Sequence, residues 1–175
     1  MLLVLWKLFF LLLIQYFIVQ FIVGTQIPNY SIVDDYISAL GDSDKSPLYW
    51  LMNCSFFLNG LLIILGAAAS NKDITSKSLL YVSGIGAILV ALNPENKNGL
   101  LHTSGAGLSF VFGNLSLLSL GLHAKTSIER TLCFAGGGLG FSSFVYFSFN
   151  SDCRGLVERM VSYPESVVLI ASALI

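Results

Sequence analysis

Six apolar runs dominate the 175-residue chain: Leu2 to Val23, Leu48 to Ala69, Leu79 to Leu92, Leu100 to Leu122, Thr131 to Phe149 and Leu156 to Ile175. Runs near 20 residues match the ~30 Å of hydrocarbon that a helix rising about 1.5 Å per residue has to cross. An unpaired backbone amide in hydrocarbon costs several kcal/mol, so each run must be a helix or part of a closed barrel. The runs are too long for barrel strands and lack their two-residue alternation. Composition supports the membrane reading: 55% of residues are hydrophobic and 11% charged, with a mean hydropathy of +0.78, where soluble domains carry about 25% charge. Nine Lys and Arg against ten Asp and Glu give a net charge of −1, which leaves no basic footprint for nucleic acid. The expectation is an all-α, polytopic bundle in one domain, with helices at about 2–23, 48–69, 77–92, 100–122, 131–149 and 156–175.

The punctuation between runs fits this division. Ser46-Pro47 reads as an N-cap followed by proline at the first helical position, Asn93-Pro94 as a helix stop, and Asn98-Gly99 as a turn into the fourth helix. Short connections make successive helices antiparallel neighbours. The first run has no positive segment ahead of it and no small-residue cleavage pattern, so it reads as a retained span. Six crossings put Lys7, Lys72, Lys77, Lys125 and Arg130 at one end and Lys45, Lys97, Arg154 and Arg159 at the other. Five against four favours cytoplasmic termini by a small margin.

Stripes of small residues allow helices to approach closely in lipid. Ser83-x-x-x-Ala87-x-x-x-Ala91, Asn53-x6-Gly60-x6-Ala67 and Gly136 to Gly140 each provide one. They read as seams of the monomer; Gly136 and Gly140 could alternatively join two copies. Phe141 stands where a nucleotide-binding loop needs its last glycine, and no strand precedes it. Of the three Asn-x-Ser matches, those at Asn53 and Asn114 fall inside apolar runs and only Asn29 is placed for glycosylation. Cys54, Cys133 and Cys153 suggest no disulfide framework.

His102 and His123 lie near opposite ends of the fourth run, about 31 Å apart along a helix, and cannot share a metal. No metal or cofactor motif is recognisable. His102 is either a group with acid/base chemistry or an interfacial histidine bonded to a loop carbonyl.

The sixth run is the most anomalous. If it enters the membrane near Leu156, Glu165 sits roughly 13 Å deep, where a carboxylate needs a partner in the bundle interior. Glu158, Ser162 and Glu165 form one polar stripe, with Arg159 beside it as a counter-ion. Alternatively Pro164 begins the helix and Glu165 lies in an interfacial first turn. Under the first placement His102, Asn53, Glu158 and Arg159 converge in an outward-facing polar pocket beneath the acidic first loop, which contains Asp35.

Several of these residues carry a resemblance. Asp35-Tyr36-Ile37-Ser38-Ala39-Leu40-Gly41, Ser46-Pro47 and Asn53, then Pro94 with His102, then Gly155, Glu158, Arg159 and Tyr163 resemble the signature of the bacterial membrane-protein family of domain of unknown function 998. The segment from His102 to Gly113 is similar, more distantly, to the Frag1/DRAM/Sfk1 superfamily, although Ala39 replaces an acidic residue common there. The resemblance implies a six-helix bundle with both termini cytoplasmic, in a bacterial cytoplasmic membrane, and no settled activity. Members of the distant superfamily are linked to autophagy, to lipid remodelling of GPI anchors and to plasma-membrane lipid organisation.

Three functions follow as expectations. The first is binding of a membrane lipid or small amphiphile in a pocket drawn from Asp35, Asn53, His102, Glu158, Arg159 and Glu165. The second is a lipid-modifying enzyme using His102 with Glu158 or Glu165 as acid and base, no activated Ser or Cys nucleophile being recognisable. The third is a small transporter with Glu165 as its proton site.

Overall fold

A computed structural model describes residues 2–149 and 152–175. Every regular element among them is helical: α1 (Leu2–Leu11), α2 (Ile14–Gly24), a 3-10 turn (Ser38–Gly41), α3 (Tyr49–Ala69), α4 (Ile74–Leu92), α5 (Gly99–Leu122), α6 (Ser127–Phe149) and α7 (Arg154–Leu174). The first two form one interrupted crossing. At Leu12 and Leu13 the bonding tightens, with Leu13 N–H donating to Phe10 O (3.2 Å) and Tyr16 N–H to Leu13 O (3.0 Å), which interrupts the α-helical pattern without a proline.

Five helical segments, Val4–Gly24, α3, α4, α5 and α6, are long and apolar enough to cross a membrane. The chain is thus an integral, multi-pass membrane protein. Its burial pattern follows from lipid as the solvent, where apolar packing has no hydrophobic drive and polar groups are the ones that must be sheltered. Phe21, Leu100, Leu122 and Phe149 are each more than 70% exposed, whereas Glu158, Glu165, Arg159 and His102 are all below 8%. The most charged helix, α7, lies innermost: it packs against α1, α5 and α6, and 12 of its 21 residues are buried.

Small residues set the spacing of the bundle. A Cβ on Gly84 would come within 2.7 Å of Gly60 O, and one on Gly105 within 2.8 Å of Gly86 O, so α3–α4 and α4–α5 meet backbone to backbone. Gly136 and Gly140 both face their own chain, the former against Val168 and Leu117 and the latter against the Asn114 amide.

Helix starts depend on caps that hydropathy does not register. Asp73 caps α4, accepting from Ser76 N–H at 2.9 Å, and Asn98 caps α5, accepting from Leu101 N–H at 3.2 Å. The expectation at Ser46-Pro47 is corrected. Helix α3 begins at Tyr49 behind Leu48, and no side chain caps it. Ser46 N–H bonds Asp42 O in the preceding turn, and its hydroxyl is buried without a partner, so it cannot reach the first helical amides.

Both ends are tied. At the end carrying the chain's first helical residues, Lys72 Nζ meets Glu129 Oε1 at 2.5 Å and His123 lies 3.3 Å from Asp73. At the other end, residues 25–48 fold over the bundle: Leu156 N–H donates to Val33 O (2.9 Å), Asn53 Nδ2 to Gly41 O (2.9 Å) and Asn96 Nδ2 to Ser43 Oγ (2.8 Å).

Candidate functional site

Helix α7 runs unbroken through Pro164, so proline does not start it and Glu165 lies within the helix, buried in the bundle. From this helix two faces, about 100° apart, open into two voids under the folded-over segment.

The first void is a narrow cavity of about 50 Å³, walled by Ile37, Phe56, Val90 and Phe110 as well as by polar groups. At about 10–15 Å³ per water-sized probe it holds roughly three to five waters and no lipid head group. Glu158, Ser162 and Glu165 line it from α7, His102 and Ser109 from α5, Asn59 from α3 and Tyr16 from α2. The spacing i, i+4, i+7 brings the three α7 groups onto one face. Glu158 accepts from Ile37 N–H at 2.5 Å, which docks the start of the 3-10 turn onto α7. Glu165 Oε2 accepts from Ser83 Oγ at 2.8 Å, while its Oε1 has no protein partner. Gly113 makes room for it, since a Cβ there would stand 2.5 Å from Oε2. His102 Nδ1 lies 3.0 Å from Asn93 O. A carbonyl only accepts, so Nδ1 bears the proton and, in the neutral ring, Nε2 is left as an acceptor.

The second void is an open groove of about 370 Å³, lined by Phe17, Gln20, Phe21, Tyr30, Ile32, Arg159 and Tyr163, among others. Arg159 governs it. Nη1 donates to Ile32 O (2.9 Å), Asp35 O (3.0 Å) and Gly155 O (2.8 Å), and Nη2 to the Tyr30 hydroxyl (2.5 Å), which passes its own proton to Tyr36 O (3.1 Å). Burial pushes the Tyr30 phenol above its ordinary value against the pull of the guanidinium, so it stays protonated and can donate. Tyr163 OH donates to Gln20 Oε1 at 2.9 Å, leaving Gln20 Nε2 buried and unpartnered. Phe17 and Tyr163 stack edge to face, 4.9 Å between centroids.

The six residues singled out in the sequence are therefore divided. Glu158, Glu165 and His102 share the narrow cavity. Arg159 does not join them, and no ion pair forms between it and a carboxylate among the described residues. It follows Glu158 by one residue and so points about 100° away around the helix. It is thus not hydrogen-bonded to the stripe, although its charge lies close enough to act on Glu158. Asn53 caps the 3-10 turn through Gly41 O, and the Asp35 carboxylate closes its own turn by accepting from Ser31 N–H (2.8 Å); neither lines a void. Asn59, Ser83 and Gln20 escaped the sequence reading. Asn59 and Gln20 carry a visible signal, an amide inside an apolar run, whereas Ser83 looks like any other small residue of a seam.

A family model described as "Protein of unknown function (DUF998)" matches residues 11–175. No curated protein and no solved structure matches the chain.

Proposed function

The chain belongs to the DUF998 family, and from that membership and the geometry of its two voids we propose that it binds an anionic membrane amphiphile in the groove at Arg159. Size decides between the two voids beside α7, because ligand pockets run from about 300 to 1,000 Å³ and of these two only the groove at about 370 Å³ falls in that range; a hollow of about 560 Å³ at the opposite end, around Lys7, Lys72 and Lys125, has no unpartnered buried donor among the described residues.

One observation carries the reading. A buried guanidinium without a carboxylate partner and the unpartnered Gln20 Nε2 meet in one groove, whose remaining wall is the aromatic and aliphatic surface of Phe17, Phe21, Ile32 and Tyr163. One unsatisfied donor and a guanidinium held by neutral acceptors suit phosphate or carboxylate oxygens, and the aromatic wall suits the adjoining chain. Helix α7 is read as a sixth crossing, as long as α3 at 21 residues and sheltered by its neighbours. With six crossings both termini share one side, taken as cytoplasmic from the five basic residues there, and the groove opens on the outer side of a bacterial cell membrane.

Native mass spectrometry of protein purified from membranes tests this reading. The wild type is expected to retain an anionic phospholipid, and Gln20→Glu, which sets a carboxylate beside the guanidinium, to lose it. Absence of bound lipid, or the same lipid retained by both proteins, overturns the proposal.

A further inference from the structure

The narrow cavity shows the opposite electrostatic imbalance from the groove. Glu165 Oε1, Asn59 Oδ1 and Ser162 Oγ are buried without a partner, and all three residues line it. Glu165 and Asn59 are 6% and 9% exposed. The titratable groups facing the cavity are Glu158 and Glu165 from α7, His102 from α5 and Tyr16 from α2, while α3 and α4 contribute none. No Lys or Arg lines it. A buried carboxylate without a cation is strongly disfavoured, and unpaired neutral oxygens add a smaller cost.

Carboxylate, amide carbonyl and hydroxyl oxygens together form a hard donor set, which takes cations such as those of the alkali and alkaline-earth metals. Charge and space select among them. The Glu158 carboxylate is already engaged by Ile37 N–H, which leaves Glu165 Oε1 as a buried carboxylate oxygen without a donor, and a monovalent ion does not require a second free carboxylate. A cavity of about 50 Å³, with room for a few waters, cannot admit Mg²⁺ in its full six-water shell, which that ion sheds reluctantly. We propose that this cavity is a binding site for a small monovalent cation, Na⁺, held by Glu165, Asn59 and Ser162 and completed by one or two waters. The site is independent of the amphiphile groove, which lies on another face of α7.

The test is thermal unfolding of the purified full chain in detergent at pH 8, titrated with NaCl against choline chloride at equal ionic strength, with direct binding of radioactive Na⁺ alongside. The expected result is a saturable rise of roughly 5 °C with Na⁺ alone. It should be absent in Glu165→Gln, which keeps the carboxylate's shape and can still accept from Ser83, and Ser162→Ala should weaken Na⁺ binding about tenfold. If Glu165→Gln does not fold, Ser162→Ala and Asn59→Ser give the same reading. Equal melting in both salts, or an unchanged Na⁺ response in the variants, overturns the proposal. So does a stabilisation that depends on lowering pH in either salt, because the occupant is then a proton on Glu165.

Discussion

The Ser83 hydroxyl donates to Oε2 of Glu165 across 2.8 Å, fastening α4 to α7 where neither side chain reaches the surface. Ser83→Ala removes that donor and leaves a buried carboxylate oxygen unpaired. The expected loss is about 1–3 kcal/mol, measured as a fall in melting temperature in detergent. Ser142→Ala is the control: this exposed hydroxyl bonds only within its own helix, to Gly138 O and Leu139 O, and its loss should change little.

Gly140 and Gly138 should respond oppositely to alanine. A Cβ at Gly140 would overlap the Asn114 amide, whose Nδ2 donates to Val161 O (3.0 Å) and Phe110 O (2.8 Å) and so joins α5 to α7. Gly140→Ala is expected to destabilise by about 1–3 kcal/mol through overpacking. Nothing lies within 4 Å of a Cβ at Gly138, so Gly138→Ala should gain up to about 1 kcal/mol from helix propensity. Paired thermal melts check both.

Asp73 caps α4 with both carboxylate oxygens, accepting from Ser76 N–H at 2.9 Å and Ser76 Oγ at 2.6 Å. Slight burial pushes its carboxyl up, but the Ser76 donors and the nearby His123 outweigh that and hold it below the ordinary carboxylate value. The folded value is thus below the unfolded one of about 3.9. The stabilisation is fully present above the unfolded value and disappears as pH falls through the folded one. Asp73→Ala should cost about 1 kcal/mol at neutral pH, and the gap from wild type, followed by melting temperature, should close only below about pH 4.

Cys153 precedes α7 with φ 49° and ψ 41°, in the left-handed region that a β-carbon disfavours. Cys153→Gly should stabilise by up to about 1 kcal/mol, seen as a melting temperature raised by roughly 2–4 °C.

Arg159 holds residues 25–48 through Ile32 O, Asp35 O and Tyr30. A lysine ammonium has neither the reach nor the fork to satisfy these acceptors together. In Arg159→Lys the segment is expected to become cleavable by added protease while the bundle stays intact, which gel electrophoresis after limited digestion would reveal.

How far the sequence reached is clearest on α7. Run lengths and the cost of bare amides in hydrocarbon fixed an all-helical membrane chain, and helical periodicity alone put Glu158, Ser162 and Glu165 on one face. The carbonyl bond of His102 was one of two readings available from its place near a helix start, and Asn93 O is the acceptor.

The rotation of one helix against another was not legible, and neither was the path of residues 25–48. Both depend on contacts between residues far apart in the chain. Asn53 and Asn59 are equally conspicuous amides in one apolar run, six residues and so about 120° apart around the helix. Only the setting of α3 against α1, α2 and α4 turns Asn59 to the cavity and leaves Asn53 to the 3-10 turn. Arg159 likewise follows Glu158 directly, yet the folded-over segment offers it carbonyls, which satisfy a buried guanidinium without a carboxylate. Local periodicity tells which residues share a face; packing at long range alone decides what that face meets.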